Sequence, residues 1–338
     1  MTADKKITIV TVAGPTASGK TACAIALARR LDGEIVSADS MQVYRGMEIG
    51  TAAPTAEEKA AAIHHGIGIL SPGDTFSAAA WHSFAVETID GICARGHLPI
   101  LCGGTGLYLD TLTKIGNYRE ESSGDEKLRA ELYATADRDG NPALHAILTA
   151  LDPEAAAVIH PNNVKRVVRA IEICKTTGHT KTEIDRMQRT ADSPYRECRL
   201  LLTYHDRAVL YDRINRRVDQ MLSAGLLEEA KRVLGLSGDT EPSQTAMQAI
   251  GYKELLPYFR GECSLSEAAD AIRQSSRNYA KRQMTWFRRS DGYRLYCDTA
   301  DGVMRPTEEI FAEAYRVVEA CLLDPTACQT LIEPSIEE

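Results

Sequence analysis

Residues 14–21 of this chain read GPTASGKT, a spacing of glycine, lysine and hydroxyl groups that can hold phosphate. Gly14 and Gly19 allow the backbone to turn so tightly that successive N–H groups point at phosphate oxygens. Lys20 adds a positive charge, and the Thr21 hydroxyl can ligate Mg²⁺. The loop stands between an apolar run and a helical pattern, which is the context that this motif requires. We therefore predict phosphate binding by Gly14, Pro15, Thr16, Ala17, Ser18, Gly19, Lys20 and Thr21.

A carboxylate and a hydroxyl follow two further apolar runs. Asp39 comes directly after the run 34–38, and Thr105 lies in GGTGLY, just after the run 98–102. Side chains at the carboxyl ends of parallel strands face the ligand crevice. Asp39 could accept a proton there, stand beside Mg²⁺ or cap a helix, and Thr105 could donate to a phosphate oxygen or only form a turn.

Lysine and arginine residues cluster on three predicted helices. Arg213 and Arg217 are four residues apart, so they share one helix face. The other two clusters suit contacts with nucleic-acid phosphates, although charge runs are also common on solvated faces. Tyr279, Trp286 and Phe287 interleave with the last cluster and could stack on an extruded base. The candidate contacts in these two clusters are Lys165, Arg166, Arg169, Arg273, Arg277, Lys281 and Arg282.

Short apolar runs alternate with helical patterns along most of the chain. This alternation predicts an α/β fold, with a P-loop-type parallel sheet flanked by helices. The strands are predicted at 7–13, 34–38, 67–70, 98–102, 199–204 and 293–297. The principal helices are predicted at 20–30, 78–95, 207–234 and 265–289.

Residues 116–197 interrupt the alternation. They are polar and helical in pattern, with turn signals that include 122–124. We therefore predict a helical insertion domain at 116–197 between two parts of an α/β catalytic core, 1–115 and 198–300. Residues 301–338 are predicted to form an acidic C-terminal helix and tail that frays after Pro325.

Composition leaves the class of partner open but excludes several kinds of site. The net charge is −8, and residues 301–338 alone carry nine acidic and two basic side chains, so the rest of the chain is close to neutral. Nucleic acid is therefore not excluded, because phosphates respond to local fields. Nine cysteines without a C-x-x-C pair argue against a disulfide framework or a zinc site. Without a membrane-length apolar run or a signal-peptide pattern, we expect a cytoplasmic protein with no membrane partner.

Together with the phosphate loop, five segments resemble the tRNA dimethylallyltransferase (tRNA isopentenyltransferase) family of bacterial type. They are ADSMQVYRGMEIGTAAP at 38–54, GGTGLY at 103–108, IHPNNVKRVVRAIEI at 159–173, QAIGYKEL at 248–255 and YAKRQMTWFR at 279–288. Their order and spacing match the family up to about residue 290. The resemblance implies transfer of a dimethylallyl group from dimethylallyl diphosphate to N6 of adenosine 37, in the anticodon stem-loop of tRNA.

The resemblance also implies individual roles. The phosphate loop would hold the diphosphate leaving group, with Mg²⁺ as cofactor on Thr21. Asp39 would accept the proton of adenine N6, while Thr105 and Arg217 would stabilise the leaving group; we expect the enzyme to act as a monomer. The implied tRNA contacts are Asp39, Ser40, Met41, Gln42, Lys165, Arg166, Val167, Val168, Arg169, Arg273, Arg277, Lys281 and Arg282.

Two positions depart from the family pattern, and three other functions stay open. Ala53 stands where members commonly carry lysine, and Gly68 where an acid is usual. A P-loop kinase of a small molecule or nucleotide could use the insertion as a lid. A prenyltransferase of free adenine nucleotides would share the same chemistry, although the basic insertion favours a macromolecular acceptor. A non-catalytic RNA-binding module is disfavoured by the intact Lys20, Asp39 and Thr105.

Overall fold

A computed structural model of the chain describes residues 6–113, 125–190, 193–236 and 247–324. It divides the chain into two compact units. The first consists of Met1–Asp110 and Tyr195–Glu338, and the second is Thr111–Pro194. The predicted domain boundary at 116, the predicted turn at 122–124 and the predicted tail after Pro325 lie outside the described residues.

The described strands of the first unit form one parallel sheet. They are β1 (Ile7–Ala13), β2 (Gly33–Ser37), β3 (His64–His65), β4 (Leu98–Gly103), β5 (Tyr195–Thr203) and β6 (Tyr293–Tyr296). Their order is β3-β2-β4-β1-β5-β6, and every neighbouring pair is parallel. Ile9, Val10 and Val12 of β1 are completely buried, as expected for a central strand that is covered on both faces. The predicted α/β fold is confirmed.

Helices connect and cover these strands. Polar caps begin several of them: the Ser77 and Asp206 side chains accept backbone N–H bonds, and Ser264 forms a capping box with Glu267. A short 3₁₀ turn, Lys253–Leu255, precedes α12. In chain order the described helices are α1 (Lys20–Leu31), α2 (Ala56–Ala61), α3 (Ala78–Ala94), α4 (Gly106–Thr113), α5 (Glu126–Asp139), α6 (Asn141–Leu151), α7 (Pro153–Val158), α8 (Val164–Thr177), α9 (Lys181–Thr190), α10 (Arg207–Ser223), α11 (Leu226–Val233), α12 (Leu256–Phe259), α13 (Leu265–Arg288) and α14 (Thr307–Leu323).

Three sequence predictions of element bounds are wrong. The strand predicted at 67–70 does not form, because Gly66 and Gly68 have φ values of +80° and +62°, outside the extended region. The edge strand is β3 instead. The fifth strand begins at Tyr195, which pairs with Ile7, four residues before the predicted start. The helix predicted at 207–234 divides into α10 and α11, because Gly225 adopts a left-handed conformation with φ +102°.

The second unit is helical and has its own apolar core. Leu144, Leu148 and Ile171 are completely buried in it. Glu172 of α8 is also buried, and its carboxylate bonds the guanidinium groups of Arg129 and Arg169, both at 2.7 Å. Among the helices of the described ranges, none combines the length and the apolar character that a membrane crossing needs.

Candidate active site

The phosphate loop leads from the end of β1 into α1. Gly14 has φ +145°, and a Cβ there would lie 2.5 Å from the Leu202 carbonyl oxygen, so only glycine fits against β5. Gly19 is the N-cap of α1 with φ +92°, and the helix therefore directs its free N–H groups and positive dipole end toward the loop. Ser18 is 4% exposed, and its Oγ has no hydrogen-bond partner among the described residues. Its hydroxyl is therefore available to a ligand.

Lys20 is buried at the base of the loop. Its Nζ donates to the Pro15 carbonyl oxygen at 2.7 Å. Burial lowers the pKa of Lys20 to about 8, an effect that the nearby Asp39 carboxylate partly opposes and the Arg217 guanidinium reinforces. Burial also lowers the pKa of Arg217. Two cations held in a desolvated position favour an anionic ligand, because its charge would restore the solvation that they have lost.

Asp39 and Thr105 lie on loops that follow the neighbouring strands β2 and β4. Oδ1 of Asp39 accepts the backbone N–H of Met41 at 2.9 Å and that of Gln42 at 3.4 Å. The Thr105 Oγ1 accepts the N–H of Ser40 at 3.2 Å, which links the two loops. Within the described part of the chain, Oδ2 of Asp39 has no hydrogen-bond partner. One carboxylate oxygen therefore fixes the loop, and the other is free for chemistry.

The two loops approach to direct backbone contact. The N–H of Thr105 donates to the Ala38 carbonyl oxygen at 3.1 Å. A Cβ at Gly103 would lie 2.1 Å from the same oxygen, a separation that no side chain can occupy. The glycine at position 103 is therefore what allows Asp39 and Thr105 to share one site.

Two arginines of α10 reach the phosphate loop. Arg213 donates from Nε to the Ala17 carbonyl oxygen at 2.9 Å. The Nη1 of Arg217 lies 3.5 Å from the Thr16 hydroxyl oxygen. Their spacing of four residues places both on the helix face that meets the loop, in the arrangement that the sequence indicated.

Two cavities meet at these residues. The larger has a volume of about 900 Å³ and contains the phosphate loop, Asp39 and both α10 arginines in its wall. The smaller, of about 210 Å³, has an apolar wall that includes Ile214, Val218 and Ile272. Both are lined by Thr16, Ala17, Asp39, Thr51, Arg217, Met221 and Tyr279. Asp39 therefore lies between the phosphate loop and the apolar wall of the smaller cavity.

Two buried residues at the site escaped the sequence reasoning. Gln283 of α13 is 4% exposed and bonds the backbone at Thr16 and Gly104. Glu229 of α11 accepts the N–H groups of Ile49 and Gly50, both at 2.8 Å, and so fixes the loop after Met47. A glutamine within a basic helical stretch and a glutamate within LLEEAK are typical of solvated faces. No local signal marks either as buried.

The basic cluster of the second unit is only partly available to a ligand. Val167 and Val168 are 0% and 2% exposed, so the prediction that their side chains contact tRNA is wrong: they pack in the core of the unit. Lys165 and Arg166 are exposed. Arg169 is half-buried and donates to the buried carboxylate of Glu172 at 2.7 Å.

The cluster on α13 shows a similar division. Arg273 pairs with two aspartates, Asp219 and Asp270, and Arg277 donates to the Asn215 side chain. The exposed side chains of this helix include Lys281 and Arg282, and the Arg282 guanidinium lies over the Tyr279 ring at 5.6 Å from its centroid.

The predicted aromatic platform on the same helix is only partly present. Phe287 is 4% exposed, so its expected stacking role is wrong. Trp286 is 39% exposed and donates from Nε1 to Asp110. Burial raises the pKa of Tyr279, and the nearby Asp39 carboxylate raises it further. Tyr279 belongs to the wall of both cavities.

Comparisons with known proteins agree on one family. The family model "IPP transferase" matches residues 42–290, and the model "Isopentenyl transferase" matches residues 7–66. A tRNA dimethylallyltransferase of an Exiguobacterium species is 49% identical over 84% of this chain and 88% of its own.

Solved structures give the same result. The full-length tRNA isopentenylpyrophosphate transferase of Bacillus halodurans is 42% identical, with a TM-score of 0.69 over 96% of this chain and all of its own. A eukaryotic dimethylallyltransferase described as acting on tRNA is 26% identical, with a TM-score of 0.79 over 98% of this chain and 81% of its own.

Proposed function

Because the chain belongs to the IPP transferase family, the tRNA dimethylallyltransferases, we propose that it transfers a dimethylallyl group from dimethylallyl diphosphate to N6 of adenosine 37 in tRNA. The observation that carries this proposal is the position of Asp39. Its carboxylate lines both the phosphate-loop cavity and the apolar cavity. A group in that position can act on a nucleophile that meets an allylic carbon beside the bound diphosphate.

The nucleophile needs a base because the lone pair of an exocyclic amine is delocalised into the purine ring. In the transfer, N6 forms a bond to C1 of the dimethylallyl group, and the bond from C1 to the diphosphate oxygen breaks. The electron pair of that bond leaves with diphosphate, and the N6 proton passes to Asp39. Oδ2 suits this role, because Oδ1 is engaged with the backbone of Met41.

The diphosphate leaving group would lie among positively charged side chains. Lys20, Arg213 and Arg217 line the larger cavity, as does the Ser18 residue whose hydroxyl has no partner among the described residues. Donors and cations that are already in place cost no reorganisation when charge develops on the departing oxygen. Thr105 is held beside the same site by its bond from Ser40 and can donate its own hydroxyl proton.

The phosphate loop also fits Mg²⁺ as cofactor. Thr21 lines the cavity, and the Ser18 hydroxyl, which has no partner in the described part of the chain, provides a second hard oxygen, the ligand type that Mg²⁺ prefers. When bound, the ion would neutralise part of the diphosphate charge. We assign its protein ligand as Thr21.

We further propose that the acceptor is the anticodon stem-loop of tRNA and that the enzyme acts in the cytoplasm. The exposed Lys165 and Arg166 of the second unit and the exposed Lys281 and Arg282 of α13 suit contacts with RNA phosphates. Ser40, Met41 and Gln42 adjoin the proton acceptor, and we propose that this segment contacts the nucleotides beside the modified base. The Gln42 side chain itself bonds Ser37 and the carbonyl oxygens of Thr51 and Ala52, so its contact would be through the backbone. The apolar wall of Ile214, Val218 and Ile272 beside Asp39 suits a five-carbon chain better than it suits the polar acceptor of a kinase.

The deciding experiment incubates the purified protein with Mg²⁺, dimethylallyl diphosphate and unmodified tRNA. Nucleoside mass spectrometry should detect N6-isopentenyladenosine in the tRNA digest. Parallel reactions replace tRNA by AMP, and dimethylallyl diphosphate by ATP. Product on AMP but not on tRNA would favour a prenyltransferase of free nucleotides, and ATP turnover without prenyl transfer would favour a kinase.

A further inference from the structure

One buried side chain connects the two loops that the reaction requires. Gln283 projects from α13 and is 4% exposed. Its Oε1 accepts the N–H of Thr16 at 2.8 Å, and its Nε2 donates to the Gly104 carbonyl oxygen at 3.1 Å. Those partners are 267 and 179 residues away in sequence, so a single amide joins the phosphate loop, the loop of Thr105 and a distant helix.

The surroundings of the Gln283 amide leave little room for a different side chain. A Cβ at Gly104 would lie 2.1 Å from Nε2 of Gln283, so a side chain at position 104 would displace the amide from the backbone that it bonds. Both ends of the amide are used, one as acceptor and one as donor, and the site is buried. An apolar residue of the same length would leave the Thr16 N–H and the Gly104 carbonyl oxygen unpaired, which is costly in such surroundings.

Because the N–H of Thr16 is bonded to Gln283, the N–H groups that remain available to phosphate are those of the later residues of the loop. We propose that Gln283 is a positioning residue, which holds the phosphate loop and Thr105 at the separation that the transition state needs. This inference rests on the proposed transfer reaction. Its consequence is kinetic: a shift of about 1 Å between groups that bind the leaving diphosphate can cost about 100-fold in rate. Affinity for the diphosphate depends mainly on Lys20 and the arginines, and should change little.

The test compares two variants in multiple-turnover reactions with saturating substrates, which give kcat. Gln283→Met keeps the length of the side chain and removes both hydrogen bonds. We expect its kcat to fall about 10- to 100-fold, while its Kd for dimethylallyl diphosphate, from calorimetry, changes less than about 3-fold. Thr285→Val is the matched control, because Thr285 lies on the same helix, is exposed and donates to the carbonyl oxygen of Lys281 within that helix. Its kcat should equal that of the wild type.

The second variant, Gln283→Glu, supplies a readout that a purely structural role would not produce. Its ionised carboxylate still accepts the Thr16 N–H but faces the Gly104 carbonyl oxygen without a proton to donate. Once protonated, it can donate again, and burial should raise its pKa. Its kcat relative to that of the wild type should therefore recover as the pH falls from about 8 to about 5.5.

The outcomes separate this inference from the proposed function. If the wild type forms no isopentenyladenosine, the transfer reaction fails and the inference falls with it. If the wild type is active and a folded Gln283→Met variant keeps the wild-type kcat, the inference is overturned while the function stands. A ratio for Gln283→Glu that stays flat with pH also overturns it. So does a Gln283→Glu variant that shows no cooperative melting, because Gln283 would then be a requirement for folding.

Discussion

Substitutions of Asp39 can distinguish the structural role of Oδ1 from the proposed catalytic role of Oδ2. In Asp39→Asn, the remaining carbonyl oxygen can still accept the N–H groups of Met41 and Gln42, which lie 2.9 and 3.4 Å from Oδ1 in the wild type. The loop should therefore keep its conformation, while the proton acceptor is lost. A positioned general base contributes about 100- to 10,000-fold to rate, so we expect turnover to fall at least about 100-fold.

Asp39→Ala should show the same loss of rate together with a loss of stability. It removes one good hydrogen bond and one long one at a half-buried carboxylate, worth about 1 to 2 kcal/mol together. The melting temperature should therefore fall by roughly 2 to 4 °C in Asp39→Ala and stay unchanged in Asp39→Asn. Two variants that are equal in rate and different in melting temperature would distinguish the two oxygens.

The assay is a single-turnover measurement of isopentenyladenosine with saturating dimethylallyl diphosphate and tRNA. Calorimetry on both variants provides the control for binding. Because the Asp39 carboxylate lies near Lys20 and Arg217, removing its charge should leave the affinity for the diphosphate unchanged or higher. Wild-type turnover in Asp39→Asn would refute the assignment of Asp39 as the proton acceptor.

Three further predictions concern charge. Burial lowers the pKa of Lys20 from 10.5 to about 8. The buried charge therefore destabilises the fold below about pH 8, and the free energy of unfolding rises as the pH increases from about 8 to 10.5. Lys20→Met should thus melt at the same or a higher temperature at pH 7, yet bind dimethylallyl diphosphate at least about 30-fold more weakly by calorimetry. A hydrogen bond from Arg95 lowers the pKa of Glu34 from 4.5 to about 2. The ionised Glu34 therefore stabilises the fold fully above about pH 4.5, and this stabilisation is lost as the pH falls toward 2. Glu34→Gln should lose about 3 kcal/mol at pH 7 in urea titrations and show a weaker pH dependence of stability between those values. Replacing both Lys165 and Arg166 by glutamate should lower the salt slope of tRNA binding by about 2 in filter binding, whereas the exposed Lys127→Glu control should not.

Local sequence signals predicted the parts of the fold that local chemistry determines. β1 runs over the predicted residues 7–13, because a β-branched run ending at Gly14 allows few other structures. Helix α13 ends one residue before its predicted end and begins at its predicted start, where Ser264 and Glu267 form a capping box. The P-loop context placed the phosphate loop in the same way.

The rest depends on partners that are distant in sequence or on a signal that was overlooked. The two-residue strand β3 exists only because β2 lies beside it, and nothing in His64 and His65 alone indicates a strand. Gln283 becomes part of the site only when two loops close on it. Val167 and Val168 are different: with Val164 and Ile171 they follow the i, i+3, i+4, i+7 spacing of a core face, a pattern available in the sequence.

The contact at Gly103 has a consequence for reading genetic variation in this chain. Gly103 has no side chain to take part in the chemistry, yet even a methyl group there would collide with the Ala38 carbonyl oxygen and push apart the segments that carry Asp39 and Thr105. In a saturation-mutagenesis screen for activity, position 103 should tolerate as few replacements as Asp39 does. Intolerance at position 103 would then reflect the close backbone contact between the two loops. Whether a residue takes part in the chemistry would have to be inferred from kinetics.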